Sequence, residues 1–122
     1  MGLEAQVFKT PLFSRFMKQK VLFVCNQNKN RSRTAEELFK GSYDTRSAGL
    51  YNQERPLTKE LVDWTDAIVV FEETQKKELL NRFPEETSKK RVINLEIPDI
   101  YDYNVPPLIK ALKKAMNERF AF

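Results

Sequence analysis

The chain has 122 residues, 41% of them hydrophobic, which is enough for one compact globular domain and too few for two. Its net charge of +4 suits an anionic partner, but the sequence lacks the basic stripe and interleaved aromatic residues of a nucleic-acid-binding module. It contains one cysteine and no histidine, which excludes a disulfide framework, a zinc site built from histidine and cysteine, and a nucleophile that depends on a histidine base.

Residues 1–16 differ from the rest and are predicted to be an extension outside the domain, which spans 17–122. The extension is basic and aromatic, and polar residues interrupt the apolar centre that a secretory signal needs. It is either native, a remnant of expression, or a stretch upstream of an internal start at Met17. Its apolar residues are Phe8, Leu12, Phe13 and Phe16. They could dock on a partner or on a membrane surface. The alternative is that the segment packs on its own domain or stays mobile. No apolar run is long enough to cross a bilayer.

The first part of the domain reads as two strands separated by a helix, with a second helix after them. Val21–Val24 is short, apolar and rich in β-branched residues, which is typical of a strand buried on both faces. Thr34–Lys40 has apolar residues at helical spacing, and Gly41 stands where a helix would stop. A strand over Ser42–Ala48 and a helix over Thr58–Trp64, capped by its first residue, complete this part.

The second part of the domain repeats the alternation. Ala67–Phe71 is predicted as another doubly buried strand, Thr74–Phe83 as a helix, and Arg91–Leu95 as the fourth strand. Pro106–Phe120 is predicted as a final amphipathic helix. Strands that alternate with helices predict an α/β domain with a parallel four-stranded sheet and helices on both faces. Ligands of such sheets bind at the carboxyl ends of the strands, beside helix N-termini.

The cysteine stands at such a position, in the sequence CNQNKNRS from Cys25 to Ser32. Five residues separate Cys25 from Arg31, and a loop of that length can wrap round and aim its backbone N–H groups at one point. Together with the helix N-terminus behind it, the loop predicts a nest for a tetrahedral dianion. The nest residues are Asn26, Gln27, Asn28, Lys29 and Asn30.

The residue types around this loop fit nucleophilic chemistry on a phosphate. Arg31 offers a planar fork of donors that a lysine cannot match. The helix dipole, the amides and Arg31 all favour the thiolate of Cys25 without a histidine. Ser32 can donate its hydroxyl to the sulfur, and Asn28 tolerates the left-handed backbone of a tight loop. A lone cysteine after a strand is alternatively a plain core residue.

Residues 20–39 resemble the phosphate-binding loop and first helix of the low-molecular-weight protein tyrosine phosphatases, and above all a short bacterial branch of predicted phosphatases. The likeness continues through SAG (47–49), DWTDAIVVFEE (63–73) and EIPDIYDY (96–103), and covers roughly residues 18–120. It implies a single flavodoxin-like, three-layer domain that hydrolyses aryl phosphate esters through a cysteinyl-phosphate intermediate, with no metal or cofactor.

The resemblance also implies partners and a compartment. The expected substrate is a phosphorylated protein or a small aryl phosphate, and inorganic phosphate or sulfate is expected in the loop. Neither a nucleic-acid partner nor a membrane span is expected. The single cysteine fits the reducing cytoplasm.

Carried over by position, the resemblance makes Cys25 the nucleophile, Arg31 the clamp on the transferring phosphoryl group, and Asp99 of Ile-Pro-Asp the general acid. Tyr51 and Tyr101 fall where family members place aromatic residues that wall the pocket. Asp99 is alternatively only a turn residue after a proline. Each of the two tyrosines is alternatively an ordinary half-buried loop residue.

Two positions of the loop depart from the family's pattern. Gln27 and Asn30 replace a glycine and a second cysteine, and the lost cysteine removes the partner that protects the nucleophile through a reversible disulfide. These departures leave open an alternative function, a phosphate-binding or regulatory module with degenerate catalysis. The retained Asp99 favours the enzyme, since a pure receptor gains nothing from an acid above the phosphate.

Overall fold

The computed structural model describes residues 18–120. The predicted extension, residues 1–16, lies outside the described residues, and so does the docking hypothesis for its apolar side chains, Phe8, Leu12, Phe13 and Phe16. Within the described part, no helix combines the length and the apolar character needed to cross a membrane.

Strands and helices alternate along the described part of the chain. The strands are β1 (Lys20–Cys25), β2 (Asp44–Gly49), β3 (Ala67–Val70) and β4 (Arg91–Asn94). The helices are α1 (Arg31–Phe39), α2 (Lys59–Trp64), α3 (Glu73–Arg82), α4 (Pro84–Thr87) and α5 (Pro106–Ala115). A π-helical turn, Met116–Phe120, continues α5.

The four strands form one parallel sheet in the order β2-β1-β3-β4, which confirms the predicted α/β sheet. After β1 the chain moves to one side for β2, and then crosses to the other side for β3 and β4. The carboxyl end of β1 is therefore the point where the strand order reverses, which is where open α/β sheets bind ligands. The residues that follow β1 are Asn26–Asn30, the predicted nest.

The core has two halves, one on each face of the sheet, because successive side chains of a strand point to opposite faces. In β1, Phe23 belongs to the half that contains α1 and α5, and Leu22 belongs to the half that contains α2 and α3. Both are fully buried, as are all residues of β3, so the prediction of doubly buried strands is confirmed. Cys25 lies on the α1 and α5 side.

Three boundaries at the ends of α1 and the start of β2 differ from the predicted ones. The helix begins at Arg31 rather than Thr34, since the chain turns directly from the nest into the first helical turn and the Thr34 N–H donates to the Asn30 carbonyl at 2.9 Å. It ends at Phe39, and Gly41 does not adopt the left-handed conformation of a glycine cap. Strand β2 begins at Asp44 because the two residues before it donate back to the Phe39 carbonyl.

Two later elements also differ from the prediction. The final α-helix ends at Ala115, and the predicted remainder is a π-helical turn whose buried residues are Met116 and Phe120. The short helix α4 was not predicted. It starts at Pro84, and proline suits the first position of a helix because its missing N–H has no intrahelical partner there. The predicted cap of α2 is confirmed, since the Thr58 hydroxyl accepts from the Leu61 N–H at 3.2 Å.

Candidate active site

Residues 26–30, here called the Cys–Arg loop, are tied to the segment that follows β2. The Leu50 N–H donates to the Cys25 carbonyl at 2.9 Å, and the Tyr51 N–H donates to the Asn26 carbonyl at 2.8 Å. The pairing of β1 with β2 thus continues past the ends of both strands. These bonds set where the loop departs from the sheet.

Two residues allow the tight course of the loop. Asn28 has a φ of 52°, the left-handed conformation that the sequence predicted for it, and is 3% exposed. Gly49 faces the loop so closely that a Cβ there would lie 2.9 Å from both the Asn28 nitrogen and the Gln27 carbonyl carbon. A larger residue at position 49 would push the loop out of place.

Asn52 supports the Cys–Arg loop from the neighbouring segment. Its Nδ2 donates to the Gln27 carbonyl at 2.6 Å. Its Oδ1 accepts from the backbone N–H groups of Glu54 and Arg55, at 2.7 and 2.8 Å. One side chain therefore braces two loops, a role that the sequence analysis did not predict.

Cys25 is buried, and its sulfur belongs to a chain of polar side chains. The Cys25 Sγ and the Ser32 Oγ lie 2.9 Å apart, and either atom can donate. The Ser32 hydroxyl also lies 2.7 Å from the Asn28 Oδ1, to which it donates. The Asn28 Nδ2 is buried and has no hydrogen-bond partner among residues 18–120.

The hydrogen bonds of this chain can run in two directions. In the first direction, the Ser32 hydroxyl donates its only hydrogen to the Asn28 Oδ1, so the Cys25 thiol must donate to the serine oxygen. A 180° rotation of the Asn28 amide exchanges the positions of its oxygen and nitrogen and leaves the backbone unchanged. The amide N–H₂ then donates to Ser32, and the serine hydroxyl donates to the sulfur. That second arrangement stabilises a Cys25 thiolate, because a thiolate only accepts hydrogen bonds.

Arg31 is 2% exposed, and its side chain makes two hydrogen bonds within the protein. Its Nη1 donates to the Glu72 Oε2 at 2.6 Å and to the Ile97 carbonyl at 2.8 Å. Within the described residues both hydrogen bonds of the guanidinium use Nη1, so Nε and Nη2 remain for an anion. Two adjacent donors in one plane suit two oxygens of a tetrahedral anion.

Glu72 and Gln75 are site residues that the sequence analysis missed. The Glu72 carboxylate holds Arg31 and also accepts the Gln75 backbone N–H at the start of α3. The Gln75 side chain is fully buried; its Oε1 accepts the Phe71 and Glu72 N–H groups, and its Nε2 lies 3.3 Å from the Asn26 Oδ1. The sequence held a signal for Glu72, because this residue directly follows the apolar run Ala67–Phe71 and so lies at the carboxyl end of a strand, where ligands of such sheets bind.

Asp99 lies in the segment between β4 and α5, residues 95–105, here called the late loop. Its carboxylate Oδ1 is 3.7 Å from the Arg31 Nε, and its side chain is 60% exposed. The loop is held near both ends: Ile97 donates its N–H to the Phe71 carbonyl, and the Asn104 N–H donates to the Thr34 hydroxyl at 2.9 Å. Asp99 is thereby carried to the cavity from a distant part of the sequence.

These segments enclose a cavity of about 200 Å³ at the carboxyl end of β1. Its lining residues are Cys25, Asn26, Gln27, Lys29, Asn30, Arg31 and Asp99, all of them predicted site residues. Two further predicted residues, Asn28 and Ser32, are buried and support Cys25 from the interior. The structure thus brings together the nest, the cysteine, the arginine and the acid.

The two predicted wall tyrosines do not line this cavity. Tyr51 is 57% exposed, and the Arg82 guanidinium lies 5.3 Å from its ring centre. Tyr101 is half-buried, packs against the core, and lines a separate groove with Ile97 and Ala111. Their proposed contact with a substrate ring stays a prediction.

A parallel sheet of order β2-β1-β3-β4, with a cysteine, a five-residue loop and an arginine at its switch point, defines a small α/β protein whose Cys–Arg loop lies at the carboxyl end of its first strand. The fold is that of the low-molecular-weight protein tyrosine phosphatases. No family model matches the chain, and no curated protein matches it in sequence at a significant level.

Several solved structures are similar to this chain. The tyrosine phosphatase AmsI from Erwinia amylovora is similar with a TM-score of 0.66 and 22% identity, over 85% of this chain and 95% of that one. The tyrosine phosphatase Wzb from Escherichia coli K30, in complex with phosphate, has a TM-score of 0.66 and 20% identity, over 84% and 96%. The YwlE arginine phosphatase from Geobacillus stearothermophilus has a TM-score of 0.57 and 23% identity, over 82% and 84%. At this level of identity the likeness shows a shared fold.

Proposed function

We propose that this protein is a cysteine-dependent phosphomonoesterase that acts on aryl phosphates, with phosphotyrosine in proteins as the foremost candidate. The observation that carries the proposal is the lining of one cavity by Cys25, Arg31 and Asp99. The acid is 68 residues further along the chain than Arg31 and still lies within reach of its guanidinium. A receptor for phosphate needs the loop and the arginine, but it does not need an acid at the mouth of the site.

The first chemical step is attack by the Cys25 thiolate on phosphorus. A sulfur–phosphorus bond forms while the bond from phosphorus to the phenolic oxygen breaks on the opposite side. Asp99 gives its proton to the departing phenolate, which leaves as a neutral phenol. The Nε and Nη2 of Arg31, with the amides of the Cys–Arg loop, stabilise the charge on the equatorial oxygens.

The second step releases the enzyme. The Asp99 carboxylate takes a proton from a water molecule as that water attacks phosphorus, and the sulfur–phosphorus bond breaks. Inorganic phosphate and the Cys25 thiolate result. Ser32 stabilises the thiolate in both steps by donating its hydroxyl hydrogen to sulfur, which requires the rotated Asn28 amide described above.

Glu72 has a positioning role in this mechanism. It holds Nη1 of Arg31 together with the Ile97 carbonyl, so the guanidinium plane is set before the substrate arrives. Preorganised donors stabilise a transition state without paying for reorganisation during the reaction. The Glu72 charge also offsets the cost of burying the charge of Arg31.

The names of the similar structures support the proposal. AmsI and Wzb are tyrosine phosphatases, YwlE is an arginine phosphatase, and one YwlE mutant carries a phosphorylated active-site serine. Wzb structures hold phosphate or sulfate, which supports inorganic phosphate or sulfate as a ligand of the loop here. The residues of the chain supply every role in the mechanism, so we propose no metal or cofactor. We place the protein in the cytoplasm, where its one thiol stays reduced.

The test is release of phosphate from p-nitrophenyl phosphate by the wild type and by Cys25→Ser, each with and without EDTA. We expect turnover by the wild type that EDTA leaves unchanged, and none by the variant. Binding of phosphate, measured by calorimetry, should persist in Cys25→Ser because the amides and Arg31 remain. Wild-type binding without turnover would assign the protein to the alternative class, a phosphate-binding or regulatory module. Activity retained in Cys25→Ser would reject the mechanism.

A further inference from the structure

The cavity that contains Cys25 has an unusual wall for a site that handles an aromatic ester. Apart from Cys25 its lining side chains are polar or charged: Asn26, Gln27, Lys29, Asn30, Arg31 and Asp99. Among residues 18–120 no aromatic or aliphatic side chain lines it, and both predicted wall tyrosines lie elsewhere. The residues that line the cavity therefore offer no ring on which a leaving group could stack.

Lys29 lines the cavity, and its positive charge has no role in the proposed mechanism. It is exposed, and no carboxylate of residues 18–120 lies within 4.0 Å of its ammonium group. The other cation, Arg31, is paired with Glu72 at 2.6 Å. A lysine that is free at the wall of an anion-binding cavity raises the local concentration of anions and attracts a negative group beyond the phosphate.

The general acid does not oppose such a group. Asp99 must be protonated when it donates to the departing oxygen, and a neutral carboxyl exerts no charge repulsion on an anionic leaving group. Phosphate itself is served by the amides of the Cys–Arg loop and by two nitrogens of Arg31. The charge of Lys29 therefore remains for the rest of the substrate.

We propose that Lys29 is a specificity-determining residue that favours phosphoesters with a carboxylate close to the phosphate, either on a small aryl ester or on an Asp or Glu beside a phosphotyrosine. The inference rests on the proposed function and names the substrate class of the same site. Since Lys29 is solvent-exposed, the preference should be modest, up to about five-fold, and should weaken in high salt.

The experiment compares two small esters that differ in charge, 4-carboxyphenyl phosphate and 4-carbamoylphenyl phosphate. The ratio of their kcat/KM values is measured for the wild type, Lys29→Met and the control Lys110→Met, an exposed lysine of α5 that does not line the cavity. Comparing the ratio between variants cancels the different acidities of the two phenols. We expect the ratio to fall about five-fold in Lys29→Met, to hold in Lys110→Met, and to recover in Lys29→Arg.

A second arm identifies the source of the carboxylate. For each of the same protein variants, kcat/KM is measured on two phosphotyrosine peptides, one with Glu and one with Gln on either side of the phosphorylated residue. Discrimination by both pairs supports a protein substrate, and discrimination by the small esters alone supports a small molecule. An unchanged ratio in Lys29→Met, or an equal loss on both esters, overturns the proposal, because the lysine would then serve no substrate group or only the phosphate.

A binding measurement separates this inference from the proposed function. Affinities of 4-carboxybenzylphosphonate and 4-carbamoylbenzylphosphonate are measured by calorimetry on Cys25→Ser and on Cys25→Ser with Lys29→Met. A carboxylate preference that Lys29→Met removes supports the inference even if the wild type shows no turnover. Turnover of both esters with no preference in either assay rejects the inference and leaves the phosphatase function standing.

Discussion

The two loops that build the cavity are held in opposite ways. In the Cys–Arg loop, Asn28 is 3% exposed, and the loop accepts hydrogen bonds from Tyr51, Asn52 and Gln75. Arg31, which follows the loop, is 2% exposed. In the late loop, Asp99 has a 60% exposed side chain and its neighbour Ile100 is 73% exposed. The Cys–Arg loop is fixed by hydrogen bonds from neighbouring segments, although its Gln27 and Lys29 side chains are exposed. The late loop is held near its ends and by the packing of Tyr101 against the core, and it leaves Asp99 exposed.

This difference matches the different demands of the two proposed roles, anion binding by the Cys–Arg loop and proton transfer by Asp99. Binding a dianion and holding a thiolate requires donors that are oriented in advance, and buried hydrogen bonds provide that orientation. A general acid has to serve a departing oxygen in one step and a water molecule in the next, so some freedom at Asp99 is compatible with its role. Changes to the buried residues that hold the Cys–Arg loop in place should therefore affect all substrates alike, while changes in the late loop should depend on the leaving group.

Arg31→Lys should have the largest effect, because a point charge cannot replace a planar fork held by Glu72 and Ile97. We expect a loss of about 4 kcal/mol in transition-state stabilisation. It is measured as kcat/KM on p-nitrophenyl phosphate. Arg33→Lys, on the exposed face of the same helix, is the matched control and should change little. Near-normal turnover by Arg31→Lys would remove this residue from its role.

Asp99→Asn keeps the size of the side chain but cannot donate a proton. We expect kcat on phosphotyrosine to fall about a hundred-fold, with a much smaller loss on activated esters whose phenolate departs unaided. Asp102→Asn in the same loop is the control. Equal slowing of both substrates would make Asp99 structural, and Asp102 would become the next candidate.

Gly49→Ala tests the packing of the Cys–Arg loop without touching a catalytic group. The added Cβ would meet backbone atoms at 2.9 Å, so we expect a stability loss of about 2 kcal/mol together with weaker phosphate binding. Urea unfolding and calorimetry measure the two effects. Gly41→Ala, where a Cβ meets nothing within 4 Å, should be neutral or slightly stabilising. An unaffected Gly49→Ala protein would mean that the loop has room to yield.

Asn52→Ala should have the smallest effect, because the side chain it removes is near the surface. Loss of the bond to the Gln27 carbonyl should weaken phosphate binding by about 1 kcal/mol, or roughly five-fold, and should lower kcat/KM for all substrates in parallel. Asn81→Ala, on the exposed surface of α3, is the control. A loss confined to one substrate would instead indicate that Asn52 contacts the leaving group.

The sequence by itself determined the parts of the protein that depend on neighbouring residues. Val21–Val24 and Ala67–Val70 are apolar without alternation, which requires a sheet covered on both faces. Cys25, Asn28, Arg31 and Ser32 lie within eight consecutive residues, so one loop and one helical turn account for their arrangement. Asp99 was assigned through the family resemblance, since Pro98 and Asp99 alone describe only a turn.

Only the tertiary structure decided which distant residues complete the site. Glu72 and Ile97 reach Arg31 across 41 and 66 residues of sequence, because the order of the strands places β3 beside β1 and brings the segment after β4 alongside. Asn52 and Gln75 became supports of the Cys–Arg loop for the same reason. The tyrosines lie outside the cavity because ring position depends on how a whole loop packs, which spacing in the sequence does not specify. Local geometry follows from local sequence, whereas contacts across the sheet follow from the order in which the strands assemble.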